Sequence, residues 1–469
     1  MPPKSNHPPR PAHILIAGSG IAGLTLALML ETHGIAYTLL EAYAELVPRS
    51  GAGICLLPNG LRILDQLGCY EDLRGRVGEE NMLETVSLRD PQGEELHFSE
   101  GWTERMANRW GYAGLWCDRS TILQTVYDHI VDKSRLLTGK RVASVRHLED
   151  GVEVTTADGS IYTGDILVGA DGTHSRVREE MVRYANELGI GEEYADGDEA
   201  SATYACLFGL STSAPAPKTP PRGLLAWNLG YGHSCVIGTG QGNRTYWFLA
   251  KHLGKTYKGS EIPRLTDEDR DRIVREHWED KITDELRLKD LYESRLHLVV
   301  TPLKEMVYKR WDCGRMVVLG DAAHKMLPII AQGGNQALET AATFTNELFA
   351  ALTSSPPQSS SPTPLSLQEI SPLLRNLQSS RAERISAVVD MGQQRQKMDT
   401  LSTPALEELM LKKFPSLMPG VLVKRWDQSF PGAVSLAALE RSYREKEVLF
   451  EDERLEERGN VEGDVVARI

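Results

Sequence analysis

The sequence has little cysteine for its length, six residues in 469. Cys55, Cys69, Cys117, Cys206, Cys235 and Cys313 contain no C-x-x-C pair, and none has a Cys or His neighbour at zinc spacing. This excludes a disulfide framework, gives no reason to expect a metal, and points to a reducing, cytoplasmic setting. A basic excess is also missing: 52 lysines and arginines face 65 acidic residues, a net charge of −13. A nucleic-acid role, which needs a basic face, is not expected. Long hydrophobic runs are lacking as well. Residues 14–30, ILIAGSGIAGLTLALML, carry no charge. That run is short of the roughly 20 residues of a membrane span. Glu31-Thr32-His33-Gly34 follow it with no small-residue cleavage site, so it reads as neither a signal peptide nor a membrane helix. No internal repeat is visible.

What is present is a globular composition, 41% apolar before the 41 glycines are added. The length allows two to three domains at about 150 residues each. Residues 1–11 read as a polar, proline-rich, disordered tail. From His13 the pattern runs strand, glycine turn, apolar helix and second strand, a βαβ unit. Residues 51–70 read as a glycine-rich loop and a short helix, and 118–130 as a helix. Short strands follow near 141–147 and 151–156, and an apolar strand spans 166–170. The region 186–305 changes character: segments 204–210, 223–227, 234–237 and 244–249 look like successive antiparallel strands, followed by a charged helix over 267–280. A βα signature returns at 315–352. Residues 353–368 form a Ser/Pro-rich linker, and 369–469 are mainly helical in pattern.

Three motifs carry chemistry. In Gly18-Ser-Gly20-Ile-Ala-Gly23, Gly18 permits a tight turn, Gly20 a close approach to a pyrophosphate, and Gly23 close helix–strand packing. Glu41 ends the second strand, where a carboxylate can accept from a ribose hydroxyl. The alternative is an ordinary glycine-rich turn. The second motif, Gly169-Ala-Asp171-Gly172-Thr-His-Ser175-Arg-Val-Arg178, taken alone is a turn and helix start with Ser175 as cap. In the third, Gly320-Asp321-Ala-Ala-His324 to Gln332-Gly-Gly-Asn335, a strand delivers Asp321 to a sheet edge and a helix N-terminus follows. That terminus can stabilise negative charge. A turn aspartate is the plain alternative for Asp321, and a structural histidine for His324.

GSGIAG, DRSTIL, GADGTHSRVR and GDAAHKMLPIIAQGGNQ, in this order, resemble the para-hydroxybenzoate-hydroxylase superfamily of single-component FAD monooxygenases. The chain is more similar still to fungal FAD-dependent monooxygenases of meroterpenoid and prenylated indole alkaloid biosynthesis, over about residues 12–350. The resemblance implies an α/β fold: a Rossmann-type FAD-binding domain made of 12–185 and 306–352, with an antiparallel-sheet substrate domain, 186–305, inserted in it, and a helical C-terminal region. It also implies that Gly18, Gly20, Gly23 and Glu41 hold the ADP half of FAD, and that Gly51 and Gly53 lie near the ribose or flavin. Arg119 would reach the cofactor, Asp171 would serve FAD and NAD(P)H, and Asp321 would bind the ribityl chain. Gly333, Gly334 and Asn335 would face the flavin. The chain departs from the family in having Ala331 in place of a glycine and Glu339 in place of an aspartate.

The activity so implied is insertion of one oxygen atom from O₂, through a flavin C4a-hydroperoxide, into an electron-rich C=C of a large apolar metabolite. NADPH or NADH is the co-substrate. A prenylated indole alkaloid, oxidised at the indole 2,3-bond with or without rearrangement, is the leading substrate. A meroterpenoid prenyl-chain epoxidase, a phenol hydroxylase and a flavin-dependent isoprenoid reductase are the alternatives. No acid–base pair is required. Tyr204, Phe208, Trp227, Tyr246 and Phe248 are candidate pocket residues, because side chains two apart share a sheet face. Their alternative is plain core. No second G-x-G-x-x-G is present, which fits a nicotinamide that visits transiently. No membrane span is expected, and the protein is expected to be a monomer or weak homo-oligomer.

Overall fold

The uncharged run divides into the strand His13–Ala17 and the helix Ile21–Thr32. The turn falls at Gly18, whose φ of +99° suits glycine alone. Leu24, Leu26, Met29 and Leu30 of the helix are fully buried. A helix apolar on every side is a buried one, and this one lies between the sheet and the helix Gly333–Thr353. Residues 10–48, 52–194, 200–212, 218–354 and 365–456 are described by this computed structural model.

The first sheet has six strands in the order Asp312–Cys313, Met316–Val318, Ile166–Gly169, His13–Ala17, Ala36–Leu40 and Leu136–Leu137. All its pairings but the first are parallel. Both faces are covered, so its strands read as continuous apolar runs. The strands leading into the three motifs are neighbours and end level: Ala17 pairs with Gly169, and Gly169 with Val318. Three distant stretches of chain are thus brought to one sheet edge.

The second sheet has seven strands, in the order Arg295–Pro302, Ser201–Ser211, Arg244–Lys258, His233–Gly240, Leu224–Leu229, Thr85–Arg89 and Glu95–Ser99. The last two come from a segment where no strand was expected, inside the stretch assigned to the cofactor part. Thr85–Arg89 is buried at every position, so it lacks the alternation that marks a strand. It runs parallel to Leu224–Leu229, the one parallel pairing in an otherwise antiparallel sheet.

A correction concerns Gly53. It begins the strand Gly53–Leu56, paired with Leu115–Asp118, and is not part of a loop. A Cβ there would strike the Tyr246 ring, so the glycine is a packing requirement. Gly51 lies outside the described residues.

The C-terminal region contains the long helix Leu367–Asp399, then Pro404–Glu408 and Phe414–Ser429. Met410, Phe414, Met418, Leu422 and Phe430 belong to the same hydrophobic core as Ile14, Leu24 and Leu338. The C-terminal helices are therefore packed into the molecule and not appended to it. Within the expected N-terminal tail, Arg10 is tied down: its guanidinium donates to Glu369 at 2.7 Å. Residues 1–9, most of the Ser/Pro-rich linker and 457–469 lie outside the described residues. Among the described residues, no helix is long and apolar enough to cross a membrane.

Candidate active site

The helix Ile21–Thr32 starts from Gly20 with no side-chain cap and no acidic residue in its first turn. Its free N–H groups and dipole present positive potential. A Cβ on Gly23 would collide with the Gly18 carbonyl, and one on Gly18 would lie 2.7 Å from the Ala170 oxygen. Both glycines are required by the close strand–helix approach. A Cβ on Gly20 would meet the Arg119 guanidinium first, at 3.4 Å. Arg119 thus lies over the turn, and it forms no ion pair among the described residues. Glu41 is buried. It accepts from the Ser19 N–H at 2.6 Å and the Tyr43 N–H at 2.9 Å, joining the turn to the end of the second strand.

Arg119 shares a cleft with a second helix N-terminus. Gly333–Thr353 begins without a cap or an acidic residue. A Cβ on Gly333 would meet nothing within 4 Å, whereas one on Gly334 would press on Ile54 at 2.5 Å. The cleft, about 1290 Å³ with its mouth included, opens at this second terminus; Gly18, Gly20, Gly23 and Glu41 do not line it, and the glycine turn reaches it through Arg119. Gly53, Arg119, Asp321, Gly333 and Gly334 line it together with His174 and Trp116. Asp321 lies in the 3₁₀ turn Gly320–Ala322, which follows the strand Met316–Val318, and is ion-paired with Lys325.

Two expected site residues are engaged elsewhere. Asp171 does not line the cleft. It accepts from the Ser175 hydroxyl at 2.5 Å and from the N–H groups of Arg176 and Val177 at 2.7 and 3.1 Å, at the start of the helix Arg176–Glu187. Ser175 caps that helix, as the plain reading of the motif has it. Asn335 is fully buried. Its amide accepts from Leu57 N–H at 3.1 Å and donates to the Cys55 and Ala331 carbonyls at 3.1 and 2.7 Å. It clamps the strand Gly53–Leu56 to the helix start. His324 is buried against Thr340, 3.0 Å from its hydroxyl. Burial, with Arg381 adding to it, lowers its pKa to about 4, which makes it a neutral structural histidine.

Beside the cleft is an apolar cavity of about 890 Å³, its mouth included. Cys55, Trp116, Phe248, Pro328 and Ala331 wall both spaces. Of the five aromatic candidates, Phe248 lines both, Phe208 the cleft and Trp227 the cavity. Phe208 and Phe248 meet edge to face, 5.4 Å between centroids. Tyr204 and Tyr246 line neither. Tyr204 is hydrogen-bonded to Thr400 at 3.2 Å, and Tyr246 donates to Asp118 at 2.8 Å, so their phenol groups are anchored in the core. The residues that sequence reasoning missed are Trp116 and the far wall: Met391, Arg395, Leu422, Arg425 and Trp426 of the C-terminal helices.

Glu339, the departure from aspartate, is fully buried. It accepts from Arg381 at 2.8 Å, from Arg384 at 2.7 and 2.8 Å, from Asn59 at 2.7 Å and from Gln336 at 3.1 Å. Burial would raise its pKa, but the two arginines outweigh burial and hold it down at about 2. The longer side chain thus ties the cleft helix to the long C-terminal helix. Ala331, the second departure, adopts a left-handed conformation with φ of +55°.

Two uncapped helix N-termini, a guanidinium with no ion pair among the described residues and a walled cleft suit a dinucleotide with a diphosphate and a flat ring, as FAD has. The comparisons agree. Residues 11–359 match the family described as FAD binding domain. The FAD-dependent monooxygenase dpchE of Colletotrichum higginsianum is 35% identical over 383 residues, 80% of this chain and 78% of that protein. The FAD-dependent monooxygenase ptmM of Penicillium ochrochloron is 37% identical over 342 residues, 72% of this chain and 78% of its own. The fold matches Klebsiella pneumoniae HpxO, solved with FAD and uric acid, at a TM-score of 0.70 and 22% identity, covering 89% of this chain and 96% of that one. The chain belongs to the FAD-binding-domain family and is an FAD-dependent monooxygenase of the para-hydroxybenzoate-hydroxylase type.

Proposed function

We propose that the enzyme uses NAD(P)H and O₂ to oxygenate an electron-rich C=C of a large apolar metabolite, with a prenylated indole alkaloid as the leading substrate. The observation that carries this reading is the apolar cavity sharing a wall with the cofactor cleft. Bound FAD supplies the redox chemistry, accepting reducing equivalents from NAD(P)H and delivering one oxygen atom of O₂.

The chain's own residues bind, orient and exclude water. Gly18, Gly20, Gly23, Glu41 and Arg119 take the diphosphate and ribose end. Asp321 takes the chain between phosphate and ring. The N-terminus opened by Gly333 and Gly334 favours negative charge on the ring. Trp116, Phe208 and Phe248 keep water away from the shared wall. Asp171 and Asn335 act by shaping the loops that bear these groups. In this reading the substrate part is 186–305 joined by the strands Thr85–Arg89 and Glu95–Ser99, and the cofactor part is the rest of 12–185 with 306–352. Arg395, Trp426 and their neighbours add a third side to the pocket.

The test is product mass spectrometry under ¹⁸O₂ with NADPH, against a panel of prenylated indoles, prenyl-chain aromatics and simple phenols. One labelled oxygen in a prenylated indole supports the reading. Oxygenation of phenols alone, or turnover without O₂ consumption, overturns it.

A further inference from the structure

Two charged side chains line the apolar cavity, Arg395 and Arg425, and both are cations. Arg395 is 2% exposed. Its Nε donates to Asp399 at 2.7 Å, and its guanidinium lies 4.6 Å from the centre of the Trp227 ring. Its Nη2 is buried with no hydrogen-bond partner. Arg425, on the helix Phe414–Ser429, forms no ion pair among the described residues. Asp399 is the carboxylate that acts on both arginines, and it stands behind Arg395, outside the cavity lining. Two guanidinium groups thus share one carboxylate, leaving an excess positive charge and an unused donor at the edge of an apolar space.

A buried donor without an acceptor is costly, and so is a buried charge without a counter-charge. Stacking on Trp227 and the bond to Asp399 hold the Arg395 fork in place. Gln396 and Ser429 supply neutral polar groups nearby, and the remaining lining is dominated by apolar side chains. Resting on the oxygenation proposed above, but not on its neutral prenylated-indole substrate, we propose that the substrate is an amphiphile whose anionic oxygen group, a carboxylate or an ionised enol or phenol, is held by Arg395 and Arg425. Its apolar remainder runs past Trp116 and Phe248 to the cofactor cleft. The site thereby selects an acidic head on a prenyl-like tail over a fully neutral hydrocarbon.

The experiment uses the FAD-loaded enzyme at neutral pH, with farnesoic acid and methyl farnesoate as probes. They share a chain and differ in charge. Binding is read by quenching of tryptophan fluorescence, because Trp116, Trp227 and Trp426 line the cavity. The acid is expected to bind about tenfold more tightly than the ester, the scale of a charge-assisted hydrogen bond. Arg425→Gln is expected to abolish most of that preference, weakening the acid far more than the ester, with the flavin content unchanged. Arg425→Lys is expected to keep part of it. Equal affinity of acid and ester for the unmodified enzyme, an undiminished preference in Arg425→Gln, or no quenching by either probe overturns the proposal. Oxygen incorporation is measured separately on the same samples. Its failure would count against the proposed oxygenation and leave the acid–ester preference to be judged alone.

Discussion

The cofactor cleft and the apolar cavity share a wall but are built in opposite ways. The cofactor side leans on backbone: two uncapped helix N-termini, a left-handed glycine, and glycines whose missing Cβ atoms let chains meet, with Arg119 and Asp321 as the charged side chains placed beside them. The cavity is made of side chains brought from the middle sheet and from the C-terminal helices. A backbone site tolerates almost no change of residue at its contact points, because the geometry is the function. A side-chain site can be redrawn by substitution. The same family can therefore keep one cofactor and change its substrates.

The sharpest way to break this contrast is to cut the network joining the two regions. Glu339→Leu leaves Arg381 and Arg384 without their carboxylate. It is expected to cost about 3–5 kcal/mol of stability, read by urea denaturation, and to lower flavin retention and ligand binding together. Loss of one without the other would show that the regions are independent.

The pH dependence comes next. His324 has a folded pKa lowered to about 4, so between the ordinary histidine range and pH 4 the unfolded chain binds a proton that the folded one does not. Stability is then full above pH about 6.5. It falls as pH drops toward 4, at about 1.4 kcal/mol per pH unit at most. Glu339 adds a second loss below its unfolded value, as pH approaches 2. Denaturation of His324→Gln at several pH values should give a flatter slope above pH 4. An unchanged slope would place the acid sensitivity elsewhere.

Gly23→Ala is expected to reduce bound flavin to under about a tenth, since its Cβ would meet the Gly18 carbonyl. Arg119→Ala is expected to weaken flavin binding about tenfold, measured by flavin fluorescence on dilution, with no change in ligand affinity at the cavity. Normal flavin occupancy would remove Arg119 from the site. The smallest effect is at Ala331→Gly. Releasing a left-handed alanine should raise stability by about 0.5 kcal/mol, after the added freedom of the unfolded chain is subtracted.

The contrast also explains what could be read from the sequence. The phosphate turn announces itself because Gly18, Gly20 and Gly23 must stand at fixed spacing between a strand and a helix. Asp321 and the Gly333–Gly334 pair are legible for the same reason. At Asp171 a duty at a helix start and a ligand duty give the same Asp-Gly pattern, so the sequence alone does not separate them. Tyr204 and Phe208 share a strand face, yet only Phe208 reaches the cleft, since alternation gives the side of a sheet and not the distance to a cavity. Arg395, Arg425 and Trp426 left no local signal. Their meaning depends on the helices Leu367–Asp399 and Phe414–Ser429 folding back against strands that precede them by more than a hundred residues.

Glu339 and its arginines have a consequence in time. During synthesis the glycine turn and its first strand emerge early, but the strand Met316–Val318 that joins their sheet comes three hundred residues later. The cleft helix then still waits for Arg381 and Arg384 to leave the ribosome before its buried carboxylate is paired. Cofactor capture is thus deferred to the closing stage of translation, and a nascent chain halted before that point is one the cell would have to shelter.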